Sequence, residues 1–202
     1  MAGLLPNAGL ALLAVGELAL LGFAASADVS ETYRAFYIDK SSSCLPQPVT
    51  GAFELGRPIS AGLATLPEFD AVAICGVAYT GAEGTWMFGP EARFHFAVPP
   101  GTQDLRFTLE GRRGHQRRLL VMANGTSVGM LDNDGHADQS YGFAVPRALL
   151  ADDGALDVTL LIENPPEPRN SVAARKFNFF IRSITLSLEQ DERGSVSSGT
   201  AL

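Results

Sequence analysis

Gly84-Thr-Trp-Met-Phe-Gly-Pro-Glu-Ala-Arg-Phe-His-Phe-Ala-Val98 is the stretch that decides the fold class. It holds the chain's only tryptophan, a Phe88-Gly89-Pro90 breaker and then a clean alternation. Ala92, Phe94, Phe96 and Val98 share one parity, and Arg93 and His95 share the other. Side chains of an extended backbone point to opposite faces in turn, so this pattern predicts a strand with one buried face and one wet face. No helical period competes with it.

Working outward, the same habit recurs. Leu105, Phe107 and Leu109 alternate with Asp104, Arg106, Thr108 and Glu110, as in an antiparallel strand with one face in water. Phe94, Phe96, Phe107 and Leu109 are therefore expected to be buried together on one face. A strand over 117–123 closes at Asn124-Gly125, a hairpin dipeptide because both residues tolerate positive φ, and 127–131 returns. A polar loop over 132–139 precedes 141–146, and Asp152-Asp153-Gly154 turns the chain into an alternating 156–163. Asn164-Pro165-Pro166-Glu167-Pro168 is a proline-stiffened loop, and 177–188 is a last aromatic-rich strand with a parity slip near Arg182. Upstream, Phe53–Ser60 reads as a short strand that Pro58 keeps at an edge, and Ala71–Cys75 is a short apolar run. No convincing helix follows residue 50 apart from a turn at 146–150. Seven to nine short strands with turns every 8–12 residues predict an all-β, antiparallel, jelly-roll-like β-sandwich over 50–188.

Before the sandwich the character changes. Residues 8–27 (AGLALLAVGELALLGFAASA) are apolar with a single acid, Glu17. Twenty helical residues rise about 30 Å, the thickness of a bilayer core. Three readings are open: a membrane-spanning helix, which the length favours; a signal segment, which Ala25-Ser26-Ala27 favours and the lack of any Lys or Arg before Arg34 does not; and a buried helix. The expected organisation is a transmembrane helix or signal segment at 1–27, a spacer at 28–49, the sandwich at 50–188 and a disordered polar tail at 189–202.

The chain has 202 residues and a formal net charge of −7, which argues against nucleic-acid binding because phosphate contacts need a basic surface. Cys44 and Cys75 have no metal-ligand spacing; they could pair in an exported protein and would be free thiols in a cytosolic one.

Several pieces in order carry a family resemblance: Glu54-Leu-Gly-Arg-Pro-Ile59, Gly81-Ala-Glu-Gly-Thr-Trp-Met-Phe-Gly89 running into Ala92-Arg-Phe-His-Phe96, Val121-Met-Ala-Asn-Gly125, and Ile162-Glu-Asn-Pro-Pro166 leading to the last strand. Together they resemble the extracytoplasmic C-terminal β-sandwich of bacterial membrane glycosyltransferases and phosphoglycerol transferases of polysaccharide assembly, a carbohydrate-binding-like domain. Two places depart from that pattern: Arg169-Asn-Ser-Val-Ala-Ala-Arg-Lys176 before the last strand, and Gly76-Val-Ala-Tyr-Thr80, which lacks the first aromatic of a Gly-Trp-x-x-Glu element. The resemblance implies a fold and an envelope setting.

Candidate chemistry is sparse. Tyr79, Glu83 and Trp86 could form a sugar platform, rings stacking on pyranose C–H groups and a carboxylate binding hydroxyls; the competing reading has Trp86 plugging the edge of the core. Arg112, Arg113, Arg117 and Arg118 crowd a hairpin loop that could meet anionic glycan or lipid headgroups, or simply face water. Asp132, Asp134 and Asp138 match part of a calcium loop, but Met130 stands at its first ligand position and Tyr141 at its twelfth, so an Asx-rich turn is the plainer reading. His95, His115 and His136 fall in separate segments, and no nucleophile, phosphate-loop or dinucleotide motif is present. No cofactor is expected. These readings point to a non-catalytic, membrane-anchored accessory domain of surface polysaccharide or glycolipid assembly, in the periplasm or outside the cell, touching glycan or a membrane glycosyltransferase. Secretion after signal cleavage is the other address. A structural subunit of a membrane complex, with Glu17 bonding to a neighbouring helix, and a carbohydrate-active enzyme with a carboxylate pair are the alternative functions.

Overall fold

Eleven strands form from the alternating segments in the computed structural model, which describes residues 13–18, 20, 29–114, 118–131 and 137–189. They are β1 (Ile59–Ser60), β2 (Ala73–Cys75), β3 (Val77–Ala78), β4 (Thr85–Phe88), β5 (Glu91–Ala97), β6 (Leu105–Arg113), β7 (Leu119–Ala123), β8 (Thr126–Leu131), β9 (Gln139–Val145), β10 (Ala155–Ile162) and β11 (Phe177–Leu188). One sheet has the order β3-β4-β11-β6-β9 with β1 also on β11, and the other has the order β2-β5-β10-β7-β8. All pairings are antiparallel. From β4 to β11 the chain changes sheet at every step except the β7–β8 hairpin, which is the winding of a jelly roll.

The opening stretch is two strands in two sheets. Phe88-Gly89-Pro90 carries the chain from β4 across the sandwich to β5. Gly76 does the same between β2 and β3: its φ is +81°, and a Cβ there would stand 1.9 Å from the Glu91 carbonyl oxygen. Only glycine lets the two backbones approach so closely.

The interior is the side-chain layer between the sheets. Phe94, Phe96, Phe107 and Leu109 are all fully buried in one apolar cluster, while Arg93 and His95 face outward. They do not share one face, as the alternation suggested. The Pro99–Thr102 turn moves the chain to the opposite sheet, so β5 and β6 face each other, and the rings of Phe96 and Phe107 meet across the layer at 6.3 Å. The hairpin at Asn124-Gly125 forms with φ of +43° and +80°, and the slip near Arg182 is a bulge between Ile181 and Ser183 against β6.

Two local expectations change. Of Phe53–Ser60 only β1 forms a strand, because the chain before it turns, the Arg57 N–H donating to the Glu54 carbonyl with Gly56 at a φ of +82°, and Pro58 has no N–H to donate. A 3-10 turn (Leu63–Thr65) and a five-residue helix (Leu66–Asp70) with Pro67 in its first turn fill the route to β2; both are too short to show a period.

Residues 29–48 are tied to the sandwich. A helical stretch over Glu31–Ile38 is followed by a disulfide between Cys44 and Cys75, the Gln47 N–H donates to the Ile74 carbonyl at 2.9 Å, and Asn170 Nδ2 donates to the Phe36 carbonyl at 2.8 Å. At the other end Glu189, just past β11, is still tied down, its N–H donating to the Asp104 carbonyl at 2.9 Å; residues 190–202 lie outside the described residues. Residues 13–18 and 20 are helical and exposed, and the rest of 8–27 lies outside the described residues. Among the described residues no helix is long and apolar enough to cross a membrane.

Candidate functional site

The outer face of the β3-β4-β11-β6-β9 sheet is built by the same alternation that builds the core. In β4, Thr85 and Met87 point inward and are fully buried, so Trp86 and Phe88 must point outward. β11 lies antiparallel to β4 with Phe180 opposite Trp86 and Phe177 opposite Phe88, and a register shift between Phe177 and Phe179 lets both phenylalanines reach that outer face. Just beyond β3, Tyr79 has a φ of +60° and sets its ring 5.1 Å from Phe88 and 5.2 Å from Phe177. Trp86 contacts Phe177 at 5.4 Å and Phe180 at 5.1 Å, and Phe88 contacts Phe177 at 5.3 Å. Five rings thus make one continuous shelf across three strands.

The shelf is graded in exposure. Tyr79 is 64% and Phe177 44% exposed, Trp86 and Phe88 are half-buried, and Phe180 is 6% exposed beneath the guanidinium of Arg112 at 4.2 Å. Gly114 keeps the surface open at one side: a Cβ there would lie 2.7 Å from the Trp86 ring and 2.3 Å from the Phe177 carbonyl oxygen.

A polar rim borders the rings. Asp138 accepts from Arg112 at 3.1 Å and from Arg182 at 2.8 Å, one guanidinium on each carboxylate oxygen. On the same face the Ser183 hydroxyl donates to Glu110 at 2.8 Å. Beyond Phe88 the sheet gives way to a cleft of about 540 Å³ whose lining includes Phe36, Ser43, Phe88, Asn170 and Arg175. Asp70 is the single carboxylate among the described residues that line it, whereas the usual glycosidase chemistry takes two.

Of the sugar-platform trio, Tyr79 and Trp86 join one aromatic cluster through Phe177, while Glu83 is exposed on the 81–84 loop, which the Gly81 N–H closes onto the Gly84 carbonyl. No hydrogen bond links Glu83 to either ring among the described residues. Trp86 lies on the outer face and does not plug the core. The arginines diverge, because neighbours on a strand face opposite ways. Arg112 packs on the shelf, Arg113 lies by Tyr141, and Arg118 faces Glu163 at 3.9 Å; Arg117 lies outside the described residues. Burial pushes the Tyr141 phenol above its usual range, an effect the Arg113 charge partly offsets.

Of the calcium trio, Asp138 is held by the two arginines, and Asp132 and Asp134 lie outside the described residues. No cluster of three metal-ligating side chains occurs among the described residues. Glu17 is on an exposed helical segment. Phe88, Phe177 and Phe180 were not among the residues singled out from sequence. For Phe88 a signal was available, since it shares Trp86's parity against the Thr85 and Met87 parity.

No protein-family model matches the chain, and no curated protein matches it. Among solved structures it is similar to a family 35 carbohydrate-binding module from an environmental isolate, at 15% identity over 72% of this chain and 88% of that one, with a TM-score of 0.37. It is also similar to a family 35 module from Clostridium thermocellum, at 9% identity over 66% of this chain and 100% of the other, with a TM-score of 0.40. A third is the C-terminal carbohydrate-binding module of a marine laminarinase from Zobellia galactanivorans, at 13% identity over 65% of this chain and 98% of that one, with a TM-score of 0.39.

Proposed function

We propose that this chain is a non-catalytic glycan-binding β-sandwich, anchored at a membrane through residues 8–27 and serving as an accessory domain in surface polysaccharide or glycolipid assembly. The observation that carries the binding part is the shelf: Tyr79 and Phe177, large rings in mutual contact, stand 64% and 44% exposed at the outer face of the sheet. Contiguous exposed apolar surface rimmed by polar groups marks an interaction site. The apolar C–H face of a pyranose stacks on such rings, and its hydroxyls meet the charged rim formed by Arg112, Asp138 and Arg182. The anchor is supported by the apolar run at 8–27, and the assembly setting, with a membrane glycosyltransferase as partner, by the motif resemblance.

The test is a glycan array probed with the full-length chain, followed by calorimetry on the hits. Tyr79→Ala and Phe177→Ala should each weaken binding about tenfold, roughly 1.4 kcal/mol; Tyr79→Ala should leave thermal stability nearly unchanged because that side chain is the more exposed, whereas Phe177→Ala also gives up contacts with three rings. Wild-type affinity in both variants, or no glycan bound at millimolar concentration, would overturn the reading.

A further inference from the structure

The cleft beside the shelf has a composition of its own. Its apolar floor includes Val77 and Phe88, and Phe88 also touches the shelf rings Tyr79 and Phe177, so cleft and shelf are contiguous. Ser43 Oγ belongs to a cleft-lining residue, is buried, and has no hydrogen-bond partner; that unmet polar demand is one a bound hydroxyl can answer.

Arg175 is the decisive residue. Arg112, Arg118, Arg169, Arg182 and several other described arginines face carboxylates. Arg175 is held instead by a neutral amide: its Nη2 and Nε donate to Asn170 Oδ1 at 2.6 and 3.3 Å, and Asn170 is itself fixed by donating from Nδ2 to the Phe36 carbonyl at 2.8 Å. A guanidinium has five N–H donors in a fixed fork. Asn170 takes those along the Nε edge, which leaves the two-nitrogen edge for a bidentate acceptor; among the described residues Arg175 forms no ion pair, and Asp70 is the one carboxylate lining the same cleft. The net charge of −7 does not prevent this, since distant surface charges are screened beyond about 8 Å at physiological salt.

We infer that this cleft is a subsite for a saccharide unit carrying one anionic substituent, a carboxylate or a phosphate ester, with Arg175 contacting the anion and Asn170 positioning Arg175. The inference rests on the glycan reading of the shelf and specifies the class of sugar.

Calorimetry on the full-length protein tests it with two matched pairs: tri-galacturonate against its methyl ester, and mannose 6-phosphate against mannose. The anionic member of at least one pair should bind about tenfold more tightly, and 0.5 M salt should erase the difference. Arg175→Gln should bring the anionic ligand down to the affinity of its neutral partner. Asn170→Asp gives up the bond to the Phe36 carbonyl but keeps an acceptor on the guanidinium and compensates its charge, so it should abolish the preference while neutral binding persists, an effect that simple unfolding cannot mimic. Tyr79→Ala should weaken both members of a pair alike. A preference for anions that survives Arg175→Gln, or equal affinity within both pairs in wild type, overturns the subsite and leaves the shelf standing. Failure of all four ligands and of the array overturns both.

Discussion

Asn124 is the residue on which the sandwich's local and long-range order most visibly meet. Its φ of +43° places it in the left-handed region, followed by Gly125 at +80°, so the pair makes the tight turn between β7 and β8. Its side chain works elsewhere: Nδ2 donates to the Leu149 carbonyl at 2.7 Å and the Ala155 carbonyl at 3.0 Å, while Oδ1 accepts from the Asp157 N–H at 2.7 Å. The hairpin tip is thereby tied to the start of β10. Asn124→Gly relaxes the backbone yet removes all three bonds, so it should cost about 2–3 kcal/mol at roughly 1 kcal/mol per bond. Chemical denaturation checks this, and wild-type stability in the glycine variant would mean that only the turn conformation mattered. The turn was legible because Asn-Gly is a signal confined to two neighbouring residues. The three bonds were not, because their partners stand 25 to 33 residues away. The shelf shares this character. Tyr79 and Trp86 were visible as isolated aromatics, but Phe177 enters only when β11 pairs with β4, and Arg175 matters only once Asn170 and Phe36 are brought together.

Among the elements, the segment over 29–48 does more than connect. Composition suggested a spacer, yet its end is pinned by the Cys44–Cys75 disulfide beside the Gln47–Ile74 backbone bond. Hydrophobic patterning is blind to such a strap, since its attachment is covalent and polar and almost none of its surface is apolar core. The pairing itself was left open by sequence because two cysteines name no compartment. Phe36, Ser43, Leu45, Gln47 and Pro48 of the strap also line the cleft, so on the proposed reading the disulfide would link stability to binding. With the cysteines 31 positions apart in sequence, the chain-entropy model gives about 3–4 kcal/mol of stabilisation. Cys44→Ser/Cys75→Ser should therefore lower the unfolding free energy by that amount and weaken the charged-sugar preference more than stacking on the exposed shelf. If the double variant is as stable as wild type, the strap is a passive appendage.

For the whole molecule, the alternation of β4 through β11 between two sheets follows from a chain whose strands each have one apolar face and whose breaks fall at glycine and proline. That much was readable from parity and turn residues, whereas the assignment of each strand to a sheet was not, because parity says which face is buried and not against what. The proposed address rests on a different part of the chain. As a helix, residues 8–27 would be long enough to span a bilayer core, and Tyr33 and Tyr37, both exposed, follow within ten residues, where amphipathic rings favour a headgroup layer. The Cys44–Cys75 bond would suit an oxidising space beyond the proposed membrane. On the proposal of an uncleaved anchor, the protein should sediment with membranes, resist carbonate extraction, and lose its sandwich to protease added from the outer side. Glu17 sits within the span at a cost of roughly 2–3 kcal/mol, so Glu17→Leu should anchor at least as well unless a partner helix uses the carboxylate, in which case co-purification of that partner falls. A mature N-terminus near Asp28 by mass spectrometry would replace the anchor with a signal segment and leave the exported sandwich intact. Full-length protein in the cytosolic fraction with both cysteines reduced would overturn the envelope setting altogether, and with it the assembly role, though not the shelf.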